Sequence, residues 1–564
     1  MTTTSSTRRN GGQILIDQLR IHGARRVFSV PGESFLPAID ALHDAREAIQ
    51  LVTCRQEGAA AHMAEAHGKL TGEPGICFVT RGPGATNASI GVHTARQDST
   101  PMILLVGLVG RHVARREAWQ EIDVEAVFGS LAKWAVRIDR IERIPELVAR
   151  AFQVATSGRG GPVVIGLPED LLYEEAEVED AVRYQRVHAS PSPSDMQRLR
   201  ELLATAERPF VLLGGGGWSR AACDAIRSFA AAFDLPVGTA FRRQDLLDNR
   251  DVHFAGDVGI GVNPALAERI RGADLIVSVG ARMGETTTND YTLLKVPKPT
   301  QTLVHVHPDP NELGSVYQAD LMINAGMREF AEAAQRLEPV PTTAWRGWTR
   351  AARADYLATL EHGPMPGELN MGDVMAQLRQ RLPADTIVTN GAGNYTSWVH
   401  RFYQYGGFRT ELAPTSGTMG YGTPAAIAAA LEHPGRTVVC FAGDGCFQMT
   451  PQELATVQQY GLGILFVIVN NGIYGSIRMH QEVHYPGKVY GTDIENPDFP
   501  ALAAAYGLHG EAVQRTEDFG NALERALHAP GAALLELRID PEAITPRTTL
   551  TALREKALEA RGAG

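Results

Sequence analysis

Short apolar runs recur along the chain and alternate with longer stretches in which alanine, charged and polar residues dilute the apolar positions. The runs fall at residues 75–80, 102–106, 163–167, 210–213, 275–279, 438–441 and 464–469, and read as strands. Between them lie alanine-rich stretches such as 58–70 and 221–233, which read as helices. Strand and helix alternating from one end to the other predict an α/β fold with parallel sheets. Two segments read as linkers: the Pro/Ser stretch 189–195, and 339–343, which continues through a Trp- and Arg-containing helical piece to 363–367. They divide the 564 residues into 1–188, 196–338 and 368–564, each near the common domain size of about 100–200 residues. The expected architecture is three doubly wound parallel-sheet domains. No short-period repeat or low-complexity segment interrupts it.

Composition narrows the class without naming it. An apolar fraction of 44% and a charged fraction of 21% are those of an ordinary globular protein. A net charge of −11 argues against a nucleic-acid surface, which needs clustered Lys and Arg, but not against one phosphorylated ligand held with a metal. The five cysteines (Cys54, Cys77, Cys223, Cys440, Cys446) are odd in number, scattered and without a C-x-x-C pair, so reduced thiols are expected. Residues 1–10 are rich in Ser and Thr and are expected to fray. Arg8-Arg9 is not followed by the apolar stretch of an export signal, because Asp17, Arg20 and His22 interrupt it. No run reaches the ~18 apolar residues of a membrane span. A cytoplasmic protein is expected.

The chemistry is concentrated in the run Val438 to Gly445, which ends in Gly443-Asp444-Gly445 and is followed 24 residues later by Asn470-Asn471. The strand 438–441 should end in a Gly-Asp-Gly turn at the carboxyl edge of a sheet, where open α/β sheets bind ligands. The glycines let backbone N–H groups approach an anion, and the carboxylate remains free for a cation. A helix over 450–460 then returns the chain to a strand over 464–469, which delivers Asn471 to the same edge. One carboxylate, one amide oxygen and one backbone carbonyl form a hard-oxygen site suited to Mg²⁺ bridging two phosphates. Either piece alone is an ordinary turn; the two together, each after an apolar strand, are specific.

Gly-Asp-Gly, 24 residues and Asn-Asn resembles the signature of thiamine diphosphate-dependent enzymes, and the resemblance covers nearly the whole chain. Arg55-Gln56-Glu57-Gly58 with Ala64-Glu65 looks like the glutamate segment of that superfamily's pyrimidine domain. Thr80 to Asn87, with Gly82, Pro83 and Gly84, looks like its glycine turn. Ser416-Gly417-Thr418-Met419-Gly420 is similar to the segment that clamps the aminopyrimidine ring. Ala118-Trp119-Gln120-Glu121-Ile122-Asp123 and Asn496-Pro497-Asp498-Phe499 are closest to the acetolactate synthase branch.

What the resemblance implies is specific to residues. Glu57 would hydrogen-bond ring nitrogen N1′ of the cofactor and tune its acid–base chemistry, with Gln120 a second catalytic group. Met419 would wedge between the cofactor's two rings, and the Gly417 carbonyl would accept from its amino group. Asp444 and Asn471 would hold the metal with the Ile473 carbonyl. Gly393, Asn394 and Tyr395, which stand where the synthases have Gly-Gln-His, would contact phosphate oxygens. Gly443, Gly445 and Cys446 would present backbone to the diphosphate. A 2-oxo acid would lose carbon dioxide and then be protonated or joined to a second carbonyl compound. The resemblance also implies a homodimer or homotetramer with shared active sites.

The chain departs from the family pattern in three places. No His-His pair occurs, which disfavours simple decarboxylation of the pyruvate decarboxylase type. His480 stands where acetolactate synthases usually carry Trp. In the middle third, Gly214 to Gly217 lacks the third glycine of a dinucleotide motif. There too, Ala281-Arg282-Met283-Gly284 only partly matches the flavin segment, and His307 replaces an acidic residue. FAD is therefore doubtful, and no stoichiometric flavin is expected. His305 and His307 are expected on opposite sides of a strand and are read as structural, as are His22, His62, His67 and His93. The function expected is an acetolactate-synthase-like carboligase. The alternatives are a lyase or decarboxylase acting on an acyl-CoA or aromatic 2-oxo acid, with Arg220, Arg242 and Arg243 as nucleotide contacts, and a cofactor-binding protein without turnover. Glu57 argues against the last, because binding alone would not need it.

Overall fold

The computed structural model describes residues 8–562. It contains three six-stranded sheets in which every neighbouring pair of strands is parallel, plus a two-stranded antiparallel pair formed by Arg9–Asn10 and Glu175–Ala176. The first sheet has the order Gln50–Thr53, Arg26–Ser29, Gly75–Thr80, Met102–Leu108, Pro162–Pro168, Trp134–Arg137. Its central strands Met102–Leu108 and Pro162–Pro168 are buried at every position, which is why they read as unbroken apolar runs. The second sheet runs Phe254–Val258, Val237–Ala240, Pro209–Leu213, Leu275–Val279, Thr302–His307, Leu321–Asn324. The third runs Glu411–Leu412, Ile387–Asn390, Val438–Gly443, Leu465–Asn470, Ala533–Arg538, His509–Val513.

With strands counted separately within each sheet, the first and third share one order, 2-1-3-4-6-5, whereas the second has 3-2-1-4-5-6. This likeness of winding leaves no trace as a sequence repeat, because a parallel sheet demands only apolar strands and crossover helices of suitable length. In all three sheets the strand order reverses at the first strand, and the carboxyl edge beside that reversal is where such sheets take ligands.

The chain forms two compact units, one extending to Val187 together with Ile427–Glu432, the other made of His188–Ala426 and the chain from His433 on. The second and third sheets therefore share a unit. Buried polar contacts join them: the Gln244 N–H donates to Glu411 at 2.7 Å, the Tyr405 N–H donates to the Asn249 side chain at 2.9 Å, and Arg242 donates to the Pro414 carbonyl.

Local chemistry explains the element boundaries. Helix Glu57–Thr71 starts at Gln56, whose side chain accepts the Ala59 N–H, and stops at Gly72 in the left-handed region (φ 78°). Its alanines allow close packing: a Cβ on Gly75 would lie 1.8 Å from the Ala64 carbonyl oxygen. The Pro/Ser stretch at 189–195 is only partly a linker, because Ser192 and Asp195 form a capping box that starts helix Pro193–Thr205. The expected fraying at 1–10 does not reach Asn10, which caps helix Gly11–Ile21, or Arg9, which pairs with Asp17 and Asp180. Residues 1–7 lie outside the described residues. Among the described residues no helix is long and apolar enough to cross a membrane, and the five cysteines are buried and form no disulfide.

Candidate active site

Two groups of residues lie at the carboxyl edges of the first and third sheets, one in each compact unit.

In the first unit, Glu57 opens the helix after strand Gln50–Thr53, and Oε2 accepts from the Asn87 side-chain amide at 2.9 Å. The segment 80–87 is not a turn: helix Arg81–Asp98 begins directly after strand Gly75–Thr80. Gly84, in its first turn, brings backbone close to Glu57, since a Cβ there would lie 3.6 Å from Oε1. Gly82 donates its N–H to the Gln120 carbonyl at 2.8 Å, which latches the 118–123 segment to the same helix. Gln120 is in the left-handed region (φ 63°), as are Arg115 and Glu117, and Glu121 holds the loop by accepting from the Arg115 and Ala118 N–H groups. Glu57, Asn87 and Gln120, which are far apart in sequence, are thus assembled around one helix start. His22, His62 and His67 are buried, and burial pushes each imidazole down to about 4, so they are neutral core groups.

In the second unit, a cavity of about 760 Å³ is lined by Gly393, Asn394, Tyr395, Gly417, Met419, Gly443, Asp444, Gly445, Cys446, Asn471 and Ile473, every residue expected for the diphosphate and metal end. The Gly-Asp-Gly segment is strand end and helix start rather than a turn. Strand Val438–Gly443 runs directly into the short helix Asp444–Phe447. Both glycines are required by aromatic neighbours. A Cβ on Gly443 would meet the Tyr395 ring at 2.9 Å, and one on Gly445 the Tyr474 ring at 2.8 Å.

Asp444 is buried, and that burial holds its carboxyl above the usual range. Oδ1 accepts from the Gly445 N–H at 2.9 Å; Oδ2 accepts from the Gly472 N–H at 2.9 Å and from the Asn496 amide at 2.8 Å. All these donors are neutral. The Asn496 amide also donates to Asn470 Oδ1 at 2.9 Å, while Asn470 in turn donates to Glu536. Asn471 Oδ1 accepts from the Ile473 N–H at 3.3 Å, and Ile473 is bridged to Asp493. A buried carboxylate oriented only by neutral donors, beside an amide oxygen in one cavity, fits a bound divalent cation. Among the described residues no group of three His, Cys, Asp or Glu is placed to hold a metal ion.

The remaining residues are more constrained than their sequence suggested. Tyr395 is buried, and its hydroxyl accepts the Gly391 N–H at 2.9 Å and lies 3.6 Å from the Cys446 thiol. Asn394 accepts from Ser476 Oγ at 2.7 Å and reaches the Met479 sulfur at 3.6 Å. Both side chains are engaged within the protein, leaving Gly393 (φ 140°) and local backbone to face a ligand. The Cys446 sulfur also accepts the Gly420 N–H at 3.3 Å, tying the 417–420 segment to the Asp444 helix. Met419 is half-buried against the third sheet's core. That Asn496 orients Asp444, and Asn470 in turn orients Asn496, was not legible beforehand. Asn496 stood in a recognised segment, but a partner 52 residues away leaves no local signal.

The glycine-rich stretch of the second sheet is closed on itself. Gly215 and Gly280 meet backbone to backbone, a Cβ on Gly215 falling 2.0 Å from the Gly280 carbonyl oxygen, and the Trp218 indole donates to the Gly214 carbonyl at 2.7 Å. His305 and His307 are buried on strand Thr302–His307 and, being two residues apart, share one face of it rather than lying on opposite sides as expected, with ring centroids 6.1 Å apart. The His305 ring lies 2.9 Å from the Ala281 carbonyl, and His307 accepts the Asp309 N–H at 3.1 Å.

Comparison with known proteins agrees with this arrangement segment by segment. Residues 9–127 match the family described as thiamine pyrophosphate enzyme, N-terminal TPP binding domain. Residues 196–334 match its central domain and residues 391–537 its C-terminal TPP binding domain. The acetolactate synthase isozyme 2 large subunit of Escherichia coli (strain K12) is 31% identical over 536 residues, 94% of this chain and 96% of that protein. The acetolactate synthase large subunit of Parasynechococcus marenigrum is 33% identical over 547 residues, 94% of this chain and 87% of that protein.

Proposed function

This chain belongs to the thiamine pyrophosphate enzymes, on the acetolactate synthase-like branch, and from that premise we propose that it decarboxylates a 2-oxo acid and joins the product to a second carbonyl compound. The observation that carries this reading is the single cavity that gathers Asp444, Asn471, Gly417 and Met419. When bound, the cofactor supplies the electron sink that lets carbon dioxide leave. The protein's part is positional. Asp444, Asn471 and the Ile473 carbonyl would hold Mg²⁺. Gly443, Gly445, Cys446, Gly393 and neighbouring backbone would face the diphosphate. Met419 and the Gly417 carbonyl would set the ring geometry, and Glu57 would hold the proton shared with N1′. Gln120, latched near Glu57, would act on the reacting groups. The matched segments support the division into 1–188, 196–338 and 368–564. A cytoplasmic location is part of the same reading, as is the lack of a flavin requirement, which the closed Gly214–Gly217 stretch favours. Purified protein with thiamine diphosphate and Mg²⁺ should release carbon dioxide from 2-oxo acids and give a branched 2-hydroxy-3-oxo product by mass spectrometry. No release from any 2-oxo acid would overturn the reading.

Asn496 should matter although it need not touch the cation. Asn496→Ala removes one of the two donors to Asp444 Oδ2 and one of the two to Asn470 Oδ1, so the carboxylate is held less firmly. Loss of an outer partner of a metal ligand costs on the order of 10–100-fold in metal affinity. The expected result is a higher Mg²⁺ requirement at saturating cofactor, with kcat largely recovered at high Mg²⁺. An unchanged Mg²⁺ titration would show that Asn496 does not position Asp444.

The working form is proposed to be a homodimer or homotetramer, with each cofactor meeting Glu57 of one chain and the Asp444 cradle of another. Such a cleft excludes water from reactive species, and two-fold closure is the common solution among soluble proteins. Mixing inactive Glu57→Gln and Asp444→Ala proteins under subunit exchange should restore activity, up to about a quarter of wild-type sites for random pairing. Exchange demonstrated by mass spectrometry without any recovery would mean that each site is built within one chain.

A further inference from the structure

The cavity does not end at the Asp444 cradle. It continues to Asp257 on strand Phe254–Val258, Arg401 on helix Thr396–Phe402, and Arg547 in the segment before helix Leu550–Gly562. Arg401 is half-buried. Its Nε donates to the Thr359 carbonyl at 2.8 Å and a terminal nitrogen reaches the Glu361 carbonyl at 3.5 Å. The exposed Arg547 donates to the Val262 carbonyl at 3.3 Å. These backbone acceptors fix both guanidiniums yet use only some of the five N–H donors each carries. Among the described residues neither forms an ion pair, whereas Arg26, Arg81 and Arg111 in the same chain all do. Burial, and then the neighbouring charge of Arg547, push the Arg401 pKa below its ordinary value. Asp257 offers no relief: its carboxyl, raised to about 7 by burial, feels Arg547 without closing an ion pair to it.

Two guanidiniums that line one cavity, one of them half-buried, with N–H donors to spare and no ion-pair partner, suit an anionic ligand. Their position in the same cavity as the cofactor cradle says which ligand. We propose that this end of the cavity is a subsite for a terminal oxyanion of the substrate, so that the 2-oxo acid acted on carries a second carboxylate or a phosphate ester distant from its keto group. The planar guanidinium fork suits both groups. Asp257, beside Arg547, opposes the incoming charge and limits how tightly it is held. The proposal rests on the function proposed above, since it is the cofactor that requires a 2-oxo acid in this cavity.

The test compares kcat/KM for 2-oxoglutarate, 3-phosphohydroxypyruvate and 2-oxobutanoate on protein loaded with thiamine diphosphate and Mg²⁺. Calorimetry with glutarate and butanoate measures the same preference without turnover. At least one of the two acids with a second anionic group should exceed 2-oxobutanoate by about tenfold or more, and which one does so distinguishes carboxylate from phosphate. Arg401→Met and Arg547→Met should each remove most of that preference while sparing 2-oxobutanoate, and Asp257→Asn should increase it. Arg547 is exposed, so its variant does not depend on a repacked core. Equal kcat/KM for all three acids, or arginine variants that weaken 2-oxobutanoate equally, would overturn the subsite and leave the proposed function standing. Selective, arginine-dependent binding of glutarate without carbon dioxide release from any 2-oxo acid would overturn the function and retain the subsite.

Discussion

Glu57→Gln is expected to bind thiamine diphosphate at close to wild-type affinity and to lose proton exchange at the cofactor's C2 by roughly 10²–10⁴-fold. Glutamine has the same length and can accept the Asn87 amide as Oε2 does, so the side chain should stay where the helix start places it. Its NH₂ group can still donate a hydrogen bond to a ring nitrogen. What it cannot do is share or transfer a proton, and the cofactor's own base is made only by that transfer. The fold should be nearly indifferent, since a first-turn carboxylate is worth only about 0.3–1 kcal/mol against the helix dipole. Binding and exchange are thereby separated in one variant. Calorimetry reads the first and NMR of deuterium incorporation the second. Exchange at the wild-type rate would remove Glu57 from the chemistry.

Asp444→Ala is expected to abolish Mg²⁺-dependent cofactor binding, with a loss of at least about 100-fold in calorimetric affinity. Asp444 is the one carboxylate among the residues assigned to the cation; Asn471 and the Ile473 carbonyl are neutral. The protein itself should survive the change. The Gly472 N–H and the Asn496 amide, which lose Oδ2, both also donate to Asn470 Oδ1 at 3.1 and 2.9 Å. Removing a buried carboxylate whose burial already disfavours its charge also lightens a cost. A folded protein that no longer responds to Mg²⁺ is the outcome that supports the assignment. Wild-type affinity at low micromolar cofactor would contradict it.

The fold was legible because parallel strands buried on both faces, such as Met102–Leu108, must be written as apolar runs, and no other soluble class alternates them with helices so regularly. The third sheet's ligand edge was legible because Asp444 and Asn471 follow consecutive strands of that sheet, Val438–Gly443 and Leu465–Asn470. Local conformation at the glycines was not. Residues 81–87 are helical and Asp444 opens a short helix, because the N–H groups at a helix start serve an anion as well as a turn would. Nor could the sequence show that Tyr395 and Asn394 spend their side chains on Gly391, Cys446 and Ser476, or that Asn496 reaches Asp444, since those hydrogen bonds depend on tertiary placement. The Arg401–Arg547 end of the cavity draws on three separated segments, each unremarkable alone.

The shared 2-1-3-4-6-5 winding of the first and third sheets bears on how the chain reaches its native state. Each sheet offers strands that another could accept, and parallel pairing closes large loops, so it is slow and leaves apolar edges uncovered for longer. During synthesis the first sheet can close before the third has emerged from the ribosome, which keeps the two sets of strands apart in time. Dilution of the whole denatured chain removes that separation and presents both sets at once. The order of emergence thus acts as a safeguard against strand exchange that the finished structure no longer displays.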